Sequence, residues 1–171
     1  MASILIRKAG AEHLADIPRI ELAGAALFST TDLPPNIRYK VTAAGDLQEA
    51  QGEGRIWVAM NDRQKVVGFA LADVVDRQGY LTEVDVLPEF ARRGIGTRLV
   101  QTVADWASAS RFRSLSLVTF RHLPWNAPFY EKLGFRKLDS AEHGPELESL
   151  ITEEGRLGIN IANRVAMKLN L

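Results

Sequence analysis

Residues 84–100 read VDVLPEFARRGIGTRLV, and this run constrains the fold more than any other part of the chain. An alternating apolar strand meets Pro88, passes through a basic glycine turn and enters an amphipathic helix. Gly94 and Gly96 lack a β-carbon, so the backbone there can curl with its N–H groups facing outward. The positive end of the following helix adds to that field, and Arg92, Arg93 and Arg98 crowd the same turn. The result is a pocket suited to a diphosphate at the end of a strand. A Gly-x-Gly turn is also a common bare connection. The three arginines, and Glu83 and Asp85 at period-two spacing on the preceding strand, favour a site. Position 99 is Leu, so the G-x-G-x-x-G dinucleotide fingerprint fails, and no P-loop run G-x-x-x-x-G-K-[ST] occurs.

A chain of 171 residues is expected to be one domain spanning residues 1–171. Its formal net charge of zero argues against a nucleic-acid partner. No apolar run approaches the roughly 18 residues of a membrane span. The opening residues MASILIRK lack the basic start and long apolar stretch of a signal peptide, so a cytoplasmic location is the expectation. Cysteine is absent, which removes disulfides, thiolate zinc sites and a cysteine nucleophile together. The histidines, His13, His122 and His143, show no metal-ligand spacing, and no metal site is expected.

Residues 3–7 read as a first strand and residues 11–28 as a helix, which Pro18 should kink or split. Residues 29–36 are a loop by composition, and a weaker helix follows at 41–50. Strands are expected at 55–60, 65–72 and 79–87; the connections are too short for crossover helices, so this part of the sheet should be antiparallel. A helix at 97–110, with an apolar stripe from Leu99 to Ala107, leads to a strand at 114–120 by one right-handed crossover between parallel neighbours. A short helix at 126–133 ends at Gly134, and a strand starts at 135–138. A short helix at 146–153 and a closing strand at 163–169 complete the chain. The fold class is therefore mixed α/β (α+β): a mostly antiparallel sheet of about seven strands with one parallel pair, flanked by helices.

Val86-Leu87-Pro88, the turn Arg92-Arg93-Gly94-Ile95-Gly96, and Asn126-Ala127-Pro128-Phe129-Tyr130-Glu131-Lys132-Leu133-Gly134-Phe135 resemble the GNAT superfamily of N-acetyltransferases. The Tyr-Glu-Lys-Leu-Gly-Phe ending, after a strand and a short helix, is more specific than the glycine turn. The resemblance follows the order of elements along the whole chain, with its specific residues between Leu81 and Leu138. It implies acetyl-CoA as cosubstrate. By analogy, the backbone of Val84, Asp85 and Val86 would pair with the pantetheine arm, and Arg92, Arg93, Gly94, Ile95, Gly96 and Thr97 would hold the pyrophosphate, with Asn126 also on the cofactor. Two positions depart from the family's habit. Ala91 stands where it usually has Gln or Arg, and Leu123 where it tends to have Asn.

Acetyl transfer to an amine needs a base for the ammonium, a donor for the oxyanion and a proton for the leaving sulfur. A phenol is protonated at neutral pH, so Tyr130 suits the last role, against the alternative of a core tyrosine. Glu83 is the candidate base, acting through water, and its neighbour Asp85 would attract a cationic amine. His122 is a rival base. Glu21 on the first helix and Trp125 in the loop after the 114–120 strand are candidate acceptor contacts, against readings as a surface charge and a packing residue. The expected activity is acetyl-CoA-dependent acetylation of a small-molecule primary amine. The alternatives are acetylation of protein N-termini or lysines, and a non-turning acetyl-CoA sensor. A homodimer is compatible with the closing strand and the polar segment 140–160.

Overall fold

The computed structural model describes residues 3–171. Strand β1 (Leu5–Lys8) leads into a 3-10 turn (Ala11–Asp16) and helix α1 (Ile17–Ala25). Pro18 falls in the first turn of α1, where its missing N–H has no partner to lose, so the expected helix is split rather than bent. His13 is a satisfied core residue whose Nδ1 accepts the Gly10 N–H at 2.8 Å. The loop expected at 29–36 holds one short turn of helix, α2 (Pro35–Arg38). Helix α3 (Ala44–Gly52) starts later than expected because the backbone is still extended at Ala43.

Strands β2 (Ile56–Met60), β3 (Val66–Val75) and β4 (Gln78–Val86) form an antiparallel meander. Helix α4 (Ile95–Ala109) crosses to β5 (Ser114–Phe120), which runs parallel to β4. Helix α5 (Ala127–Lys132), the two-residue strand β6 (Arg136–Lys137), helix α6 (Pro145–Arg156) and strand β7 (Arg164–Asn170) complete the fold. The sheet order is β1-β2-β3-β4-β5-β7-β6, and β4–β5 is its one parallel pair.

Every residue of β2 and the first seven of β3 are buried, so both faces of the sheet's centre are covered. Helix α4 packs through Ile95, Leu99, Val100, Val103 and Ala107, while α1 and α3 contribute Ile17, Ile20, Leu47 and Ala50. Under α6, a second cluster joins Tyr80, Leu138, Leu147 and Ala166. Asp76 in the β3–β4 turn accepts the backbone N–H groups of Glu146 and Leu147, which satisfies two free donors at the start of α6. No helix among the described residues is long and apolar enough to cross a membrane.

Candidate active site

Two irregularities in β4 make the site. The parallel ladder to β5 comprises only Gly79–Leu115 and Tyr80–Ser116. Beyond it the strands part, and the edge of β4 facing β5 is left without a ladder partner. The ladder to β3 steps from Leu71–Glu83 to Ala72–Leu81, so Thr82 is an extra residue, a β-bulge. The bulge inverts the alternation of side chains. Gly79 faces Ala107 of α4, and Leu81 is in the core. Glu83 and Asp85 share their odd-number parity but face the opposite side, where Asp85 lies against Gly24 of α1. A regular strand would drive both carboxylates into the apolar packing of α4.

The parted strands open into a cavity of about 430 Å³ lined by Glu21, Glu83, Asp85, Thr119, Asn126 and Tyr130 among others. Glu21 is only 5% exposed. Its carboxylate accepts the Thr42 N–H at 3.1 and 3.2 Å and the Thr42 hydroxyl, tying α1 to the segment before α3. Glu83 and Asp85 keep some accessible surface along the cavity but lie deep among protein atoms. Burial, then the charge and hydrogen bond of Asp85, then Glu21, hold the Glu83 carboxyl well above the carboxylate range. Burial also pushes Asp85 up to about 6, with Glu21 adding to the rise and the hydrogen bond from Glu83 opposing it. Both carboxyls therefore hold their protons to higher pH than free carboxyls do, Glu83 the more strongly.

Tyr130 projects from α5 into the same cavity, its ring wedged between Phe129 (centroids 5.0 Å) and Phe135 (5.6 Å). Burial, with the charge of Asp85, raises its phenol further above the usual range, so it keeps its proton at neutral pH. Asn126, 9% exposed, accepts the Thr119 hydroxyl at 2.7 Å through Oδ1 and precedes the first turn of α5.

A second groove, of about 320 Å³, runs along Val84, Asp85 and Val86 to Arg92, Gly94, Ile95, Gly96 and Thr97. Arg92 (φ 57°) and Gly94 (φ 75°) are both left-handed, so the backbone curls as a nest leading into a 15-residue helix. A β-carbon at Gly94 would meet nothing within 4 Å, so space for a ligand lies directly over the turn. Groove and cavity share Asp85.

Most residues expected from sequence converge here, with rearrangements. Glu21, Glu83, Asp85 and Tyr130 line one cavity. Val84, Val86, Arg92, Gly94, Ile95, Gly96 and Thr97 line the groove. Arg93 instead folds back, donating to the Glu89 carbonyl at 2.9 Å over the Phe90 ring, and Arg98 is outside the groove lining. Asn126, expected on the cofactor, lines the cavity with the buried carboxyls; Trp125, expected on the acceptor, lines the groove and is 49% exposed. His122 pairs with Asp32 at 3.0 Å and is not in the cavity wall. Sequence reasoning missed Thr119, Gly24, Glu154 and Arg164. The last two form a bidentate pair in the cavity wall, and nothing in their local spacing marks them.

The model of the acetyltransferase (GNAT) family matches residues 25–135, from the end of α1 to the start of the strand after α5. The chain belongs to the GNAT acetyltransferase family. A probable N-acetyltransferase, camello, from Xenopus laevis is 36% identical over 84 residues, 47% of this chain and 38% of that protein, so the match spans well under half of that relative. Among solved structures, the PaiA N-acetyltransferase of Thermoplasma acidophilum in complex with coenzyme A superposes with a TM-score of 0.70 at 18% identity, over 99% of both chains. The NatC complex bound to Gag peptide and CoA gives 0.68 at 14% identity, again over 99% of both chains. At such identities the likeness is one of fold.

Proposed function

We propose that this chain transfers the acetyl group of acetyl-CoA directly to the primary amine of a small molecule. One observation carries the reading: a groove ending at a nest and a helix N-terminus meets, at Asp85, a cavity lined by buried carboxyls and a protonated phenol. The residues fit the cofactor. The unpaired edge of β4 at Val84 and Val86 offers backbone partners to the amides of an extended arm, and the backbone from Arg92 to Thr97 offers donors to a diphosphate. Acetyl-CoA supplies an acetyl group activated as a thioester.

The chain's own groups do the rest. An ammonium entering the cavity is attracted by the ionised member of the Glu83–Asp85 pair and gives its proton to that pair, with Asp85 accepting and Glu83, expected from sequence as the base, holding Asp85 through a hydrogen bond. Tyr130 would donate its hydroxyl proton to the departing sulfur as the C–S bond breaks, and would recover a proton from the nitrogen, which sheds its second one as the amide forms. Asn126, held through Oδ1 by Thr119, keeps its amide hydrogens available in the cavity wall.

The segment 29–38 supports a small acceptor over a peptide. It is tied to the end of β5 by Asp32–His122 at 3.0 Å and to the end of α6 by Asn36 donating to the Leu157 carbonyl at 2.8 Å. Arg38 donates back to the Phe28 and Ala26 carbonyls. Leu33 and Ile37 of this segment line the cavity, so the acceptor would meet a wall held in place by these ties. The test is thiol release from acetyl-CoA against a panel of primary amines and N-terminal peptides, with the product mass determined. Acetylated small amines are expected. Peptide turnover alone would move the reading to a protein acetyltransferase, and tight binding with the thioester intact throughout would indicate a sensor.

A further inference from the structure

We infer that Arg164 receives a carboxylate on the acceptor, so that the enzyme selects amines carrying that group over bare alkylamines and diamines. The inference rests on the acetyltransfer reading. Arg164 opens β7 and lines the same cavity as Glu83, Asp85 and Tyr130. Its Nε donates to Glu154 Oε2 at 2.7 Å, and Nη2 donates to Glu154 Oε1 at 2.7 Å and to the Val118 carbonyl at 3.4 Å. A guanidinium has five N–H donors in a fixed plane. Nη1 accordingly retains both of its hydrogens, with no partner among the described residues. The plane is held at 4.4 Å over the Phe120 ring, which fixes where Nη1 can reach.

The pair is shielded, with side-chain exposures of 12% for Arg164 and 26% for Glu154, so a charge-assisted hydrogen bond there is weakened little by solvent. Lys40 lines the same cavity and adds a second cation. The acids that would receive the amine, Glu21, Glu83 and Asp85, come from α1 and β4, whereas Arg164 comes from β7. The cavity thus carries acids from α1 and β4 and, from β7, a guanidinium with an edge left free by Glu154, matching an acceptor that bears both an ammonium and an anion. A diamine offers no anion to the guanidinium edge that Glu154 leaves free.

The experiment compares wild-type kcat/KM for an amino acid series of increasing chain length, the amides of the same compounds, and diamines of matching length. A preference for the carboxylate of about 10- to 100-fold over its amide is expected at the best length, the value of one charge-assisted hydrogen bond. Arg164→Gln should abolish that preference by raising KM more than it lowers kcat, and Arg164→Lys should retain part of it. Glu154→Gln, which leaves the Arg164 charge uncompensated, should lower KM for the carboxylate, a change that a merely structural ion pair would not produce. The wild-type comparison stands even if a variant fails to fold. Equal rates for acid and amide, or faster turnover of diamines, would overturn the inference while leaving acetyl transfer intact. Acetyl-CoA binding without turnover of any amine would overturn the acetyltransfer reading and this inference with it.

Discussion

In the proposed reaction, Tyr130 and the Glu83–Asp85 pair divide the proton chemistry because their surroundings push them in useful directions. Burial keeps the phenol protonated and raises both carboxyls above the usual carboxylate range, Asp85 to about 6. Tyr130→Phe is expected to lower kcat by about 100-fold, the usual worth of a positioned acid, with acetyl-CoA affinity retained; steady-state rates and calorimetry measure the two separately. The carboxyls are a liability to stability. Asp85 moves from 3.8 to about 6 on folding, so the folded state binds the extra proton. Stability is full below the unfolded value and falls as pH rises through the folded one. Asp85→Asn removes that loss, and should stabilise the protein by about 1–2 kcal/mol at neutral pH while slowing the reaction, as read from denaturant melts above and below the transition. Gly24 matters for the same carboxylate: a β-carbon there would sit 2.6 Å from Asp85 Oδ1. Gly24→Ala, favourable for a helix by about 1 kcal/mol, should instead displace Asp85 and lower kcat/KM.

At the scale of elements, β4 does most to create the site. Deleting Thr82 would restore regular pairing and turn Glu83 and Asp85 towards α4; the expected result is loss of the cooperative thermal transition, because two carboxyls would lose their cavity and enter apolar packing. This feature was not legible in the sequence. Residues 80–86 alternate as well with the bulge as without it, so Glu83 and Asp85 could be placed together on one face but not assigned to a side of the sheet. The glycine turn and α4 were legible because their signals are local: missing β-carbons and an apolar stripe. Trp125 and Asn126 exchanged expected sites because neighbours at the entry to a helix point in different directions. Arg164–Glu154 and His122–Asp32 join residues from separate elements, and no short-range pattern encodes such pairs. The segment 29–38 yields its own test. Asp32→Asn with His122→Asn should loosen this wall of the cavity and raise the acceptor's KM several-fold, roughly the worth of one partly exposed pair, without a matching change in acetyl-CoA affinity.

The whole molecule is a sheet opened along one seam, with a cavity on each side of Asp85: one runs to the glycine turn and the start of α4, the other is lined by buried carboxyls and, in the proposed function, takes a small polar acceptor. Membership of the GNAT family fixes the class, and the cavity lined by Glu21, Glu83, Asp85 and Arg164 gives this chain its individual character. The central claim is that the nest at Arg92–Gly94 and the start of α4 hold the cosubstrate. Calorimetric titration of acetyl-CoA into the wild type and into the Gly94→Glu, Gly96→Glu double variant tests it most directly. A β-carbon at Gly94 meets nothing and one at Gly96 only Phe129 at 3.7 Å, so the variant should fold, at a cost of about 1–2 kcal/mol for the left-handed position. The account predicts micromolar binding by the wild type and its loss in a variant that still melts cooperatively. Equal binding by both proteins, or no binding by the wild type, would contradict it.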